Sequence, residues 1–145
     1  MPHSEQRPVI TCAAARKLVD EAIAAAAREG QTIAVAVADP AGHVVAAARM
    51  DGVAPAVNGF AEDKAYTSAM LKRSTSALAK GMEATRQQEF GAMSRPRLCA
   101  WPGGQPIFEG GSLIGGLGVS GAPGPVDIVI GTAALEAMGF RTAAD

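Results

Sequence analysis

The first long segment of the chain repeats its apolar residues at the spacing of an α-helix. Thr11 is a residue type that caps helix N-termini, and after it apolar residues recur every three or four positions from Leu18 to Ala26. Gly30 is a residue type that ends helices. The pattern therefore predicts a first helix that begins just after Thr11 and stops at Gly30.

The next segment changes to the two-residue period of a β-strand. From Thr32 to Asp39, Ile and Val alternate with Ala, which predicts a strand with large side chains on one face and small ones on the other. Such a strand is covered either by helices on both faces, or by a helix on one face and another subunit on the other. Asp39 to Gly42 fits a type I turn, and His43 to Met50 then returns as the second strand of a hairpin.

The middle of the chain is mostly helical in pattern. Val53 to Gly59 is expected to be a loop, followed by a helix from about Phe60 to Lys72 that has Met70 among its inward residues. Ser74 to Ser76 then begin a shorter helix. Glu83 to Arg97 is polar and weakly periodic, so it receives no assignment beyond mixed helix and loop.

The last third of the chain predicts a second hairpin and a final helix. Trp101 to Pro106 is a rigid turn, Ile107 to Glu109 a short strand, and Ser112 to Ser120 a glycine-rich strand. Val126 to Met138 has the pattern of a helix. Because the strands are joined as hairpins, the sheet is expected to be antiparallel with segregated helices, which is the α+β class.

Length and charge limit the classes of protein that fit. The chain has 145 residues, 48% of them hydrophobic, which suits one domain with one core. Its formal charge of −1 lacks the basic surplus of a nucleic-acid binder. The segment before Thr11 lacks the order of a signal peptide, and no apolar run reaches the about 18 residues of a membrane span. We therefore expect a cytoplasmic protein without nucleic-acid or membrane partners.

Several motifs that suggest common chemistries lack residues or spacings that those chemistries need. Gly115 to Gly121 lacks the lysine of a phosphate-binding loop and lies inside a predicted strand, where glycine indicates that a backbone, a flat ring or a subunit packs against it. Ser120 has no nucleophile-elbow motif around it. Cys12 and Cys99 lack the spacing of a zinc site.

His43 directly follows the predicted hairpin turn. It is either an exposed strand residue or a functional imidazole, and a neutral imidazole near neutral pH suits both an axial ligand and a general base. Nothing in the neighbouring sequence decides between these interpretations.

Arg49, Asp51 and Lys64 form a second candidate set. Arg49 ends an otherwise apolar strand, Asp51 follows in the loop, and Lys64 lies in a helix with small neighbours. If the three converge, Arg and Lys together would hold a carboxylate. The alternative is an internal Arg–Asp or Lys–Asp ion pair that anchors loop to helix.

Several segments, taken in chain order, resemble the GlcG/HbpS-like haem-binding family, which includes the C-terminal domain of PduO proteins. They are Val35 to Gly52, Asp63-Lys64-Ala65 with Thr67, Pro102 to Ile107, Gly116 to Ala122, and Asp127. The resemblance implies a single domain over residues 11–140, with short tails at 1–10 and 141–145. It also implies a three-layer α/β/α fold around a five-stranded antiparallel sheet, with Leu98 to Ala100 as the additional strand, and assembly into tetramers or octamers.

The resemblance further implies a shared ligand pocket. By position, its residues are Arg49, Asp51, Lys64, Gly103, Gly104, Pro106, Ser120 and Asp127. Two functions fit such a pocket. In the first, an oligomer binds haem or a related tetrapyrrole, with His43 as the iron ligand, Arg49 or Lys64 at a propionate, and Gly103-Gly104 against the ring.

The second function is that of a cofactor-independent isomerase, tautomerase or lyase that acts on a small carboxylated substrate in a catabolic pathway. Arg49 would orient the substrate carboxylate, and Lys64 or Asp51 would move a proton. Backbone amides near Gly103-Gly104 would stabilise an enolate-like oxygen.

Overall fold

A computed structural model describes residues 1–85 and 95–142 of the chain. Its elements follow the predicted order. They are α1 (Cys12–Arg28), β1 (Ala34–Ala38), β2 (Val44–Arg49), α2 (Pro55–Leu71), α3 (Thr75–Thr85), β3 (Gly104–Glu109), β4 (Ser112–Ser120) and α4 (Gly124–Ala137). Of the segment from Glu83 to Arg97 that the pattern left unassigned, the first three residues end α3, and residues 86–94 lie outside the described part of the chain.

The strands form an antiparallel sheet in the order β2-β1-β4-β3, which confirms the predicted mixed α/β class and antiparallel pairing. The described residues contain four strands, so the prediction of a fifth strand at Leu98 to Ala100 is wrong. The reason is a competing hydrogen bond. The Cys99 N–H donates to Thr67 Oγ1 in α2 at 3.0 Å, so this backbone is tied to a helix side chain and not to a neighbouring strand.

Helices lie on both faces of the sheet, and the two faces of β1 explain which helix covers which. Val35 and Val37 point into the larger core, which contains the apolar faces of α1 and α4. Ala34, Ala36 and Ala38 face the other way and pack against α2. The alternation of large and small residues along β1 is therefore an alternation between two different helix layers.

Helix α2 lies unusually close to the sheet because glycines in β4 leave room for its backbone. A Cβ added at Gly118 would overlap the Ala61 carbonyl oxygen and lie 2.6 Å from the Ala65 nitrogen. One added at Gly116 would overlap the Ala65 carbonyl oxygen. A backbone, one of the three partners that glycine in this strand suggested, therefore packs against Gly116 and Gly118.

Helix α1 begins and ends as predicted, whereas α2 begins earlier than predicted. Thr11 caps α1, since its side-chain oxygen accepts a hydrogen bond from the Ala14 N–H at 3.1 Å. The expected loop at Val53 to Gly59 is wrong from Pro55 onward, because Pro55 occupies the first turn of α2. Proline is favoured there, since its fixed φ suits a helix and its missing N–H has no intrahelical partner to lose.

The chain segments outside the predicted domain also make contacts. Ile10 is buried, and its N–H donates to the Ile114 carbonyl at 2.9 Å, so the packed chain begins before residue 11. Near the other end, Arg141 forms an isolated antiparallel bridge with Phe108. In residues 1–85 and 95–142, no helix has the length and hydropathy needed to cross a membrane.

Candidate functional site

Lys64 is a charged residue predicted for the site, and it is almost fully buried, with only 2% of its surface exposed. Its Nζ lies 2.8 Å from the Val119 carbonyl oxygen, 3.2 Å from Ser120 Oγ and 3.1 Å from Asp127 Oδ2. An ammonium group has three N–H donors, and three acceptors surround this one. We call Lys64, Ser120, Asp127 and the Val119 carbonyl the Lys64 cluster.

Asp127 completes the charge balance of this cluster from the first turn of α4. Its second oxygen, Oδ1, accepts a hydrogen bond from the Ala122 N–H at 3.1 Å. Burial raises the pKa of the Asp127 carboxyl, while the Lys64 charge and the hydrogen bonds from Lys64 and Ala122 act against that rise. The carboxylate is thus a buried group whose charged form depends on its partner.

Gly103 and Gly104 lie against Lys64, Gly103 beside its ammonium group and Gly104 beside its backbone carbonyl. Gly103 has a φ of +119°, and a Cβ added there would lie 3.1 Å from Lys64 Nζ and 3.0 Å from the Asp127 Cβ. The Gly104 N–H donates to Thr75 Oγ1 at 3.0 Å. The Gly104 amide is therefore occupied by a protein hydroxyl, so it is not directed at a ligand.

The Lys64 cluster joins α2, β4 and α4, and its geometry is that of an anchor. All three N–H groups of Lys64 have protein acceptors, so proton transfer to or from a substrate would first require breaking this buried pair. Pro106 is also buried, opposite Gly116 in the sheet, and packs outside the cluster. An ion pair joining parts of the fold was one of the two interpretations of Lys64, and its partner is Asp127.

Arg49 and Asp51 do not join this cluster. Both are exposed, and among the described residues neither makes a hydrogen bond or ion pair with Lys64. Arg49 Nη1 donates one long hydrogen bond, of 3.4 Å, to the Val53 carbonyl. The structure therefore brings together Lys64, Ser120, Asp127 and the two glycines, but not the predicted set of Arg49, Asp51 and Lys64.

His43 lies at the opposite end of the sheet. Ala38, at that end of β1, pairs with Val44, whereas Ala34 at the other end pairs with both Arg49 and Ser120. The His43 side chain is 81% exposed, and its Nδ1 lies 3.6 Å from Asp39 Oδ2. The imidazole is thus a surface group with a carboxylate beside one nitrogen.

An apolar groove beside the β1–β2 hairpin was missed by the sequence analysis. It encloses about 380 Å³ and we call it the Met70 groove; it is lined by Tyr66, Thr67, Met70, Leu71, Arg95, Pro96, Arg97 and Leu98. Met70 was expected to point inward, which is wrong, since 44% of it is exposed. Successive helix residues point about 100° apart, so Met70 cannot share the inward direction of its neighbour Ala69, and this offset was a signal available in the sequence.

The hairpin and the Met70 groove are in contact. A Cβ added at Gly42 would overlap the Tyr66 ring and lie 3.4 Å from Met70 Cγ. Met70 also lines a second cavity, whose walls include Asp39, Pro40 and Ala41. The turn that directly precedes His43 therefore packs against the groove.

These features define a fold of mixed α/β class, with an antiparallel sheet, helices on both faces and an exposed apolar groove. The chain belongs to the HbpS-like family: residues 10–136 match the family described as "Haem degrading protein HbpS-like". Protein GlcG of Escherichia coli strain K12 is 34% identical over 110 residues, which cover 72% of this chain and 79% of GlcG.

Solved structures of related proteins share the fold. A double mutant of HbpS from Streptomyces reticuli is 30% identical, with a TM-score of 0.84 over 96% of this chain and 93% of that one. A PduOC:Heme complex superposes with a TM-score of 0.81 at 22% identity, over 94% of this chain and 99% of that one. At that identity, the second likeness supports the fold.

Proposed function

We propose that this chain forms a homo-oligomer that binds haem, with His43 as a ligand to the iron. Its family is named for haem, and one structural neighbour is described as a haem complex. The observation that carries the proposal is the exposed His43 beside the half-buried Asp39, on a hairpin that packs against the Met70 groove.

The donor set suits haem better than a free metal ion. Within the described ranges, no group of three or more His, Cys, Asp or Glu side chains could hold a metal ion. Iron in haem is already bound by the porphyrin, so one protein side chain can serve as its axial ligand. A carboxylate beside Nδ1, as Asp39 is here, orients an imidazole and leaves Nε2 for the metal.

The Met70 groove supplies the apolar surface that a porphyrin face needs. Met70 and Leu71 are 44% and 43% exposed, which is large for apolar side chains of a helix packed on a sheet. Its polar lining includes two arginines. Arg97 pairs with Asp63 at 3.0 Å and lies over the Tyr66 ring, whereas Arg95 has no ion pair among the residues described. The Arg95 guanidinium is therefore the one available for a propionate carboxylate.

Lys64 does not take that role in our proposal. Its ammonium already has three acceptors, so pairing with a propionate would leave Asp127 buried without its cation. When bound, haem would supply a redox-active iron, and the residues named here would bind and orient it.

The test is a haemin titration of the purified protein, followed in the Soret region. We expect a saturable shift at a fixed ratio of haem to chain, lost or altered in position in His43→Ala. His3→Ala is the matched control, because His3 is also an exposed histidine but lies in the N-terminal segment. A titration without saturation would contradict haem binding, and an unchanged spectrum in His43→Ala would remove His43 as the ligand.

A further inference from the structure

The two outer edges of the sheet differ in how they are protected. On β3, Pro106 lacks an N–H, and Phe108 is already bridged to Arg141. The outer edge of β2 has neither device: its sequence from Val44 to Ala48 is apolar, without proline or charge, and no described residue pairs with its outer side. The strand has one bulge, at Val45, which lies next to the hairpin turn and leaves Ala46 to Arg49 in regular register. Unprotected edges of this kind are templates for pairing with another strand.

The backbone of β2 directs unpaired groups outward at its centre. The Met50 N–H donates to the Ile33 carbonyl on the β1 side at 2.9 Å. Because amide directions alternate along an antiparallel strand, the amides of Ala47 and Arg49 point away from β1. Ala47 is also exposed and too small to block an approaching strand.

We infer that β2 pairs antiparallel with β2 of a second copy of this chain, so that one sheet runs across both. This inference rests on the self-association in the proposed function and assigns that self-association to the outer edge of β2. The charges favour the antiparallel arrangement. It brings Arg49 and Asp51, at one end of β2, next to Asp39 and His43 at the other end, whereas parallel pairing would set Arg49 beside its own copy.

This pairing has a consequence for the binding site. Within one chain, His43 and Arg49 lie at opposite ends of β2. Across the inferred two-fold axis, the partner's Arg49 comes to the end of the strand that carries His43. A guanidinium with only one long hydrogen bond in its own chain would thus be added to the site by the neighbouring subunit.

The experiment compares the oligomer mass of three variants by size-exclusion chromatography with light scattering. Ala47→Pro removes one outward N–H, which has no partner in the single chain, and proline is tolerated on edge strands. Ala47→Lys leaves the backbone intact and places like charges together near the two-fold axis. Ala47→Thr is the matched control, because it keeps the amide and favours a strand. Far-UV circular dichroism checks that each variant is folded.

We expect Ala47→Pro and Ala47→Lys to halve the measured mass, or reduce it further, while Ala47→Thr keeps the wild-type mass. Folded Ala47→Lys at the wild-type mass would overturn the strand pairing and leave self-association standing. A wild-type protein that runs at the 14.7 kDa of one chain would overturn the self-association itself. Haemin titration of the same samples reports separately on haem binding.

Discussion

Replacing Lys64 by methionine tests whether the Lys64 cluster is an anchor of the fold. Methionine keeps the length and most of the volume of lysine but has neither its charge nor its N–H donors. The change removes the cation 3.1 Å from Asp127 Oδ2, at a site where both side chains are 3% exposed. What remains is a buried carboxylate that keeps one hydrogen bond, from the Ala122 N–H.

The expected loss of stability follows from the geometry of the pair. At 3.1 Å and an effective dielectric constant of about 20, the Coulomb attraction is about 5 kcal/mol. Desolvation of both charges offsets much of this in the intact pair, but removal of one partner leaves that cost uncompensated, typically about 3–5 kcal/mol. Since a domain is stable by only about 5–15 kcal/mol, Lys64→Met should lose a large part of its free energy of unfolding at neutral pH.

Urea denaturation measures this loss directly. With a slope of about 2 kcal/mol per molar urea, the midpoint of Lys64→Met should fall by about 1.5–2.5 M. The double variant with Asp127→Asn removes both charges and keeps an oxygen for the Ala122 N–H. It should therefore recover about 2–3 kcal/mol relative to the sum of the two single changes.

The pH dependence of Lys64→Met has a definite sign. Without its cation, the pKa of Asp127 rises further above its ordinary value of 3.8, so the folded state holds a proton that the unfolded state has released. Stability then falls as the pH rises from about 3.8 through the raised pKa. The deficit against wild type should be smaller at about pH 4.5 than at pH 8. If the free energy of unfolding of Lys64→Met at neutral pH were within about 1 kcal/mol of the wild-type value, the Lys64 cluster would not be an anchor of the fold. A catalytic role of Lys64 would then need testing next.

Two further predictions concern the helices. Gly118→Ala should destabilise the protein by about 1–3 kcal/mol or more, because the added Cβ would overlap the Ala61 carbonyl. The control is Gly81→Ala, which should raise the thermal midpoint slightly, because Gly81 lies in a helix with open space around it. A midpoint that does not fall in Gly118→Ala would contradict the close approach of α2. Thr11→Ala should lower the unfolding free energy by about 1 kcal/mol through loss of the N-cap, and Thr11→Ser should not; equal losses in urea melts would show that the cap is unimportant.

The fold was predictable wherever a local sequence signal is specific to one type of secondary structure. Thr11 and Gly30 bracket α1 as their chemistry indicates, and the alternation in β1 separates the two helix layers. The beginning of α2 was missed because Pro55 was read as a loop residue, although proline is also favoured in a helix's first turn. The absent strand at Leu98 to Ala100 depends on a long-range hydrogen bond, which no local pattern reveals.

The sequence predicted which residues belong to the candidate site better than it predicted how they are arranged in space. Lys64 lies at a helix position whose neighbours at helical spacing, Ala61 and Ser68, are buried, so its burial follows from periodicity. The identity of its partner does not follow from the sequence, because Asp127 is 63 positions away and Asp51 is nearer in sequence. The Met70 groove escaped notice because it forms between α2 and a segment that has no regular structure.

The two faces of β1 differ in how they can absorb a substitution. On the face that Val35 and Val37 supply, side chains have torsions, so a change in volume can be met by local rotation. On the opposite face, alanines and the glycines of β4 have none, so extra volume must displace α2 as a rigid body. Because α2 carries both Lys64 and Met70, one added methyl group in that layer would shift two distant sites at once.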